Sequence, residues 1–209
     1  MKIRSLSFLT VVFVLLAFTA NAQLTGSAHD FHSLTWNTSG EICLPCHTPH
    51  NGSTTLSDAP LWNHAATSST FTLYSSGTMN ATMGQPTGVS KLCLSCHDGS
   101  VALDSYGGTS GTTYVTGGTN FGTDLTNDHP ISISYTAALA TADGELHDPT
   151  TTLSGLSTTG NIDDDMLFGT AHDKLECSSC HDVHNSGNHG GLLVKSNAAS
   201  ALCITCHNK

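Results

Sequence analysis

All eight cysteines of this 209-residue chain fall in one pattern, paired across two intervening residues and followed at once by histidine: Cys43-Leu-Pro-Cys46-His47, Cys93-Leu-Ser-Cys96-His97, Cys177-Ser-Ser-Cys180-His181 and Cys203-Ile-Thr-Cys206-His207. Each pair of thiols can add to the vinyl groups of one haem, and the adjacent imidazole is then held beneath the iron as its proximal ligand. Structural zinc sites and local disulfides also use paired cysteines. Neither requires a histidine after every pair. With 13 histidines in 209 residues, that coincidence has odds on the order of 10⁻⁵. The pattern predicts four covalent haem c groups, each with its iron, and a chain that must fold around four large planar cofactors.

The remaining side chains agree with that constraint. Aromatic residues make up 6% of the chain and Gly alone contributes 20 residues, too little apolar bulk and too much backbone freedom for a large side-chain core. Four porphyrins would supply what is missing, so the expected fold is a multihaem cytochrome c, mostly coil with a few short helices and with haems forming the core. The chain without haem is expected to lack a stable fold. Helices are expected at 90–98, 173–184 and 197–207, each ending before Gly or Asn and starting at a capping residue, Ser90, Asp173 or Asn197. The Gly/Thr/Ser tracts 106–126 and 150–160 read as loops, with a short hairpin around 112–116, and 131–135 alternates like a strand. Asp163, Asp164 and Asp165 read as a solvated acidic loop rather than a cation site.

Lys2 and Arg4, an apolar run over 8–18 and Ala20-Asn21-Ala22 have the three-part layout of a secretory signal. The expectation is a signal peptide at 1–22 and a single tetrahaem domain at 23–209, secreted to the cell surface or beyond, with the periplasm as alternative. No later stretch has the length of a membrane-spanning helix. The mature chain would keep four lysines, no arginine and all 16 acids, a formal charge of −12, which repels nucleic acid.

Four proximal imidazoles, His47, His97, His181 and His207, leave nine further histidines for the opposite faces, which favours bis-histidine iron over ligation by Met79, Met83 or Met166. His50 and His184 each stand three residues after a proximal histidine. Axial ligands on opposite faces of one iron have Cα atoms roughly 12 Å apart, whereas three extended residues reach about 10 Å. Each must therefore serve a haem other than that of its own motif. His129 precedes Pro130, which biases it to an extended backbone and removes a competing donor. His29 lies near the expected new N-terminus, on a segment with little apolar anchoring that could reach another subunit. His64 and His172 stay open as substitutes for any of these, and His32, His147 and His189 are weaker candidates.

Taken together, Glu41-Ile-Cys-Leu-Pro-Cys-His-Thr-Pro-His-Asn51, Pro60-Leu-Trp-Asn-His64, Lys91-Leu-Cys-Leu-Ser-Cys-His-Asp-Gly99, Asn127-Asp-His-Pro-Ile131, Cys177-Ser-Ser-Cys-His-Asp-Val-His-Asn185 and Leu202-Cys-Ile-Thr-Cys-His-Asn-Lys209 resemble the secreted tetrahaem c-type cytochromes of metal-reducing bacteria, of the OmcE type that polymerises into extracellular filaments. The resemblance implies bis-histidine haems in close contact, little regular secondary structure, and one axial histidine supplied across the subunit interface. Carried onto this chain, His29 becomes the donor in trans, with His50, His129 and His184 as the others. The implied role is electron transfer through an end-to-end homopolymer, with other multihaem cytochromes, minerals or electrodes as electron partners. A soluble periplasmic shuttle is the nearest alternative. A haem-based reductase is disfavoured, because such chemistry needs an open coordination position and spare histidines abound.

Overall fold

The computed structural model describes residues 23–54 and 58–208, so the expected signal segment 1–22 lies outside the described residues. Most of the chain is turn and irregular backbone. Among the described residues four short helices interrupt it: α1 (Gly88–His97), α2 (Ala137–Asp143), α3 (Ile162–Met166) and α4 (Cys203–Cys206). A two-stranded sheet pairs β1 (Ile133–Ser134) antiparallel with β2 (Lys174–Leu175), placing Ile133 opposite Leu175. Among the described residues no helix is long and apolar enough to cross a membrane.

The sequence locates α1 within two residues, but its cap is Thr87 rather than Ser90. Ser90 lies in the first turn, where its N–H donates to Glu176 Oε2 (3.1 Å) and its hydroxyl accepts Cys177 N–H (2.9 Å). Ser132 Oγ donates to the same carboxylate oxygen at 2.9 Å. One side chain, 3% exposed, thus ties the start of α1, the approach to β1 and the third motif together. Burial raises the Glu176 carboxyl above its ordinary range despite the donors from Ser90 and Ser132. Gly88 makes that approach possible: it has φ +48°, and a Cβ there would lie 3.1 Å from Glu176 Oε1.

Two expected helices do not form. Residues 173–184 are instead β2 followed by a 3₁₀ turn at Cys177–Ser179, because Leu175 pairs with Ile133 and Glu176 is extended at φ −121°, ψ 171°. Residues 197–207 break at Ala199 (φ 54°) and Ser200 (φ 62°), leaving a 3₁₀ turn at Ala198–Ser200 and the one-turn α4. The strand expected at 131–135 shortens to β1. No hairpin strand forms at 112–116; Asp104 Oδ1 instead accepts the N–H groups of Thr112 (2.9 Å) and Thr113 (2.8 Å). The acidic run caps a helix rather than lying in a loop. Asp164 Oδ2 accepts Asn161 N–H at 3.1 Å, and Asp165 accepts the hydroxyls of Ser154 and Ser157. Carboxylates at a helix start also oppose its positive dipole end.

A side-chain core exists where none was expected. Ile133, Tyr135, Ala140, Ile162, Met166, Leu167, Leu175 and Leu202 pack in one cluster, and Phe71, Leu94 and Leu125 in another. The larger cluster joins the sheet, α2, α3 and the entrance to α4, so it sets the third and fourth motifs relative to each other. Ile162 is fully buried. Ile162→Ala in the haem-loaded protein is expected to lower stability by about 2–5 kcal/mol, read by denaturant unfolding. A loss below about 1 kcal/mol would mean that this cluster does not support the fold.

Candidate functional site

The four motifs use different backbone: the last two turns of α1 for Cys93–His97, a 3₁₀ turn for Cys177–Ser179, the single turn of α4 for Cys203–Cys206, and an irregular turn closed by His47 N–H to Cys43 O (2.8 Å) for the first. The same i to i+4 closure recurs at His181 to Cys177 (3.0 Å) and His207 to Cys203 (3.0 Å). Each C-x-x-C-H run therefore makes one compact turn that can present two sulfurs and an imidazole together. None of the eight cysteines forms a disulfide. Among the described residues no group of three or more His, Cys, Asp or Glu side chains gathers as a protein-only metal site would.

The motifs follow one another in space as they do in sequence. The thiols of Cys93 and Cys177 lie close enough to interact, and that neighbour together with burial holds Cys93 well above the usual thiol range. Cys46 lies within electrostatic reach of Cys96, and Cys203 of Cys180. Burial pushes the thiols of Cys46 and Cys206 up to about 11 and that of Cys96 up to about 12. Thiols so protonated are weak nucleophiles, so thioether formation is easier before the chain closes around them.

Main-chain carbonyls fix the proximal rings. His47 Nδ1 meets Pro60 O at 2.9 Å, His97 Nδ1 meets Thr119 O at 2.7 Å, and His181 Nδ1 meets Gly191 O at 2.9 Å. A carbonyl only accepts, so each Nδ1 carries the proton and each Nε2 is left with its lone pair for a metal. His129 is fixed in the same way by Pro130 O at 2.9 Å.

Three of the proximal rings face a second histidine. Ring centres are 6.4 Å apart for His47 and His184, 6.0 Å for His97 and His29, and 6.3 Å for His207 and His129. Two imidazoles on opposite faces of one iron, each nitrogen about 2 Å from the metal and each ring centre about 1 Å further out, have centres roughly 6 Å apart. The residues present therefore fit haem: paired sulfurs beside an anchored imidazole, with a second imidazole across a gap of the size of a metal centre. Burial, with smaller contributions from His97 and His181, drives His29 down to about 4, which keeps it neutral and able to ligate.

His29 lies beside His97 of its own chain, and the segment that carries it is not loose. Its segment is held within its own chain by Gln23 N–H to His184 O (2.9 Å), Gly26 N–H to Asp30 Oδ2 (2.6 Å), and Asn37 Nδ2 to Phe31 O (3.1 Å) and Glu41 O (3.0 Å). Phe31 and Trp36 rings, 5.1 Å apart, add the apolar anchoring that the composition had understated. His50 is exposed, and among the described residues no histidine ring pairs with His181 as in the other three motifs. His64 is buried, with Nδ1 2.8 Å from Ala65 O and Nε2 3.0 Å from Ala102 O, so both nitrogens are engaged by the backbone. His172 is exposed and faces none of the proximal rings.

Residues 170–209 match the family described as the doubled CXXCH motif. The match takes in the third and fourth motifs. The CXXCH motifs indicate covalently bound haem c, and their doubling indicates a multihaem c-type cytochrome whose haems serve electron transfer. No curated protein matches the chain.

Gly191 offers a direct test of the carbonyl anchors. It has φ +71°, and neither it nor Gly190 has any atom within 4 Å of an added Cβ. Gly191→Val should displace the carbonyl that holds His181 through backbone strain alone, at a cost of about 1–3 kcal/mol. The expected result is a perturbed axial spectrum at the Cys177/Cys180 haem with no loss of covalent haem by mass. Gly190→Val should leave the spectrum unchanged; equal effects from both would refute the anchor.

Proposed function

We propose that the chain is a secreted, tetrahaem electron-transfer protein whose subunits join end to end into an extracellular polymer. Bound at the four motifs, haem c supplies iron that gains and loses one electron at a time. The chain's own residues bind it, fix the ligands and exclude water. The observation that carries the reading is the set of three histidine pairs, at 6.4, 6.0 and 6.3 Å, each joining a motif histidine to a second imidazole. In this reading His184, His29 and His129 are the distal ligands of haems 1, 2 and 4. Successive motifs whose cysteines lie within electrostatic reach of each other support a continuous path, since tunnelling falls off steeply with distance.

The third motif supports the polymer. His181 is fixed by Gly191 O but has no histidine opposite it among the described residues. His50 stands three residues after His47, as His184 stands three after His181. Just as His184 reaches from the third motif to the ring of His47, His50 would reach outward from the first motif to His181 of the next copy. In this reading His50 takes the interface role that the sequence had assigned to His29. A specific observation also favours a second reading: a separate subunit would leave haem 3 open on one face, as small-ligand binding or reduction requires.

His50→Ala decides between them. The expected outcome is a protein with all four haems attached by intact mass, no filaments by electron microscopy, and one haem per subunit newly open to imidazole or cyanide. Filaments and spectra identical to those of the unsubstituted protein would rule out His50 as the joining ligand. An unsubstituted protein that stays monomeric with one high-spin haem would favour the ligand-binding reading, and a monomer with only low-spin haems the soluble shuttle.

A further inference from the structure

The four histidines of the first two haem sites differ in what their Nδ1 atoms meet. At haem 1, His47 Nδ1 faces Pro60 O at 2.9 Å, and His184 Nδ1 lies 3.8 Å from Asp182 Oδ1. That carboxylate is fixed in place, accepting the N–H groups of His184 at 2.9 Å and Ser186 at 2.7 Å. At 3.8 Å its effect on the ring is electrostatic rather than a hydrogen bond. At haem 2, His97 Nδ1 has a carbonyl at 2.7 Å, but His29 Nδ1 is buried with no partner at all. The atom is covered by the chain itself, so solvent does not replace the missing acceptor, and its aromatic neighbour Phe31, 5.6 Å away, offers none.

Negative charge or an acceptor at Nδ1 pushes electron density towards Nε2, strengthens the donor and favours ferric over ferrous iron. A ring with no acceptor is the weaker donor and favours ferrous iron. We propose that Asp182 is a positioning residue that makes the His47/His184 haem harder to reduce than the His97/His29 haem, so that the first electron shared between them settles on haem 2. The ordering deepens the electron-transfer reading and rests on its axial pairs. It gives the subunit an internal direction: haem 2 retains electrons, and haem 1, beside the proposed junction at His50, passes them on.

The test is electron paramagnetic resonance of the haem-loaded protein poised at a series of potentials with dithionite and ferricyanide. His184→Met and His29→Met each remove one bis-histidine signal and so assign haems 1 and 2. In the unsubstituted protein the His29-dependent signal should disappear first on reduction, and the His184-dependent signal should persist to lower potential. Asp182→Asn removes the charge and keeps an acceptor oxygen for one of the two N–H groups, since Oδ1 holds that of His184 and Oδ2 that of Ser186. It should shift the His184-dependent midpoint upwards and leave the His29-dependent one in place. An inverted or equal order, or a haem 1 midpoint unmoved by Asp182→Asn, would overturn the proposal. If neither methionine variant removes a bis-histidine signal, the axial pairing has failed, and the ordering with it.

Discussion

An imidazole whose Nδ1–H is held by a backbone carbonyl can present only its Nε2 lone pair, and this contact organises the rest of the molecule. Pro60 O, Thr119 O and Gly191 O hold three motif rings, and Pro130 O holds His129. The carbonyls belong to loops and to single 3₁₀ turns at Gly117–Thr119 and Gly190–Leu192, which explains how a chain with so little helix and sheet can fix ring positions. A loop that must deliver one carbonyl oxygen to one ring nitrogen is constrained at that point even where it has no regular hydrogen-bond ladder. Glycines at positive φ, such as Gly191, let the backbone turn the carbonyl inward.

The chemistry was legible in the sequence because covalent attachment requires a local pattern. C-x-x-C-H closes within one turn of backbone whatever the surroundings, and the motifs do so on a helix, a 3₁₀ turn and an irregular turn alike. The position of His184 was legible for a similar reason. A three-residue tether cannot span an iron, and the ring lies instead 6.4 Å from His47, in another motif. What failed depended on contacts distant in sequence. Residues 173–184 carry helix signals, but Leu175 pairs with Ile133 and Glu176 joins Ser90 to Ser132. The carbonyl anchors lie 10 to 22 residues from their histidines, with no spacing rule to find them.

The anchoring of the segment that carries His29 escaped the sequence for a physical reason as well. Few apolar residues near a terminus suggest a loose segment, yet Phe31, Trp36 and the amide of Asn37 hold it, with Tyr106 Oη donating to Asn37 Oδ1 at 3.1 Å. A buried Asn with several backbone partners can organise a turn that hydropathy does not reveal. The side-chain clusters around Ile162 and Leu94 make a related point. The larger cluster packs against Cys180 and Cys206 of the third and fourth motifs, and the smaller contains Leu94 of the second, so apolar side chains help to set where the motifs stand.

The central claim is that the three histidine pairs are axial pairs. A cryo-electron microscopy map of the haem-loaded protein tests it most directly. The account predicts iron between His47 and His184, between His97 and His29, and between His207 and His129, with ring separations close to the present 6.4, 6.0 and 6.3 Å. A map in which any of His184, His29 or His129 faces solvent, or ligates a different iron, would contradict it.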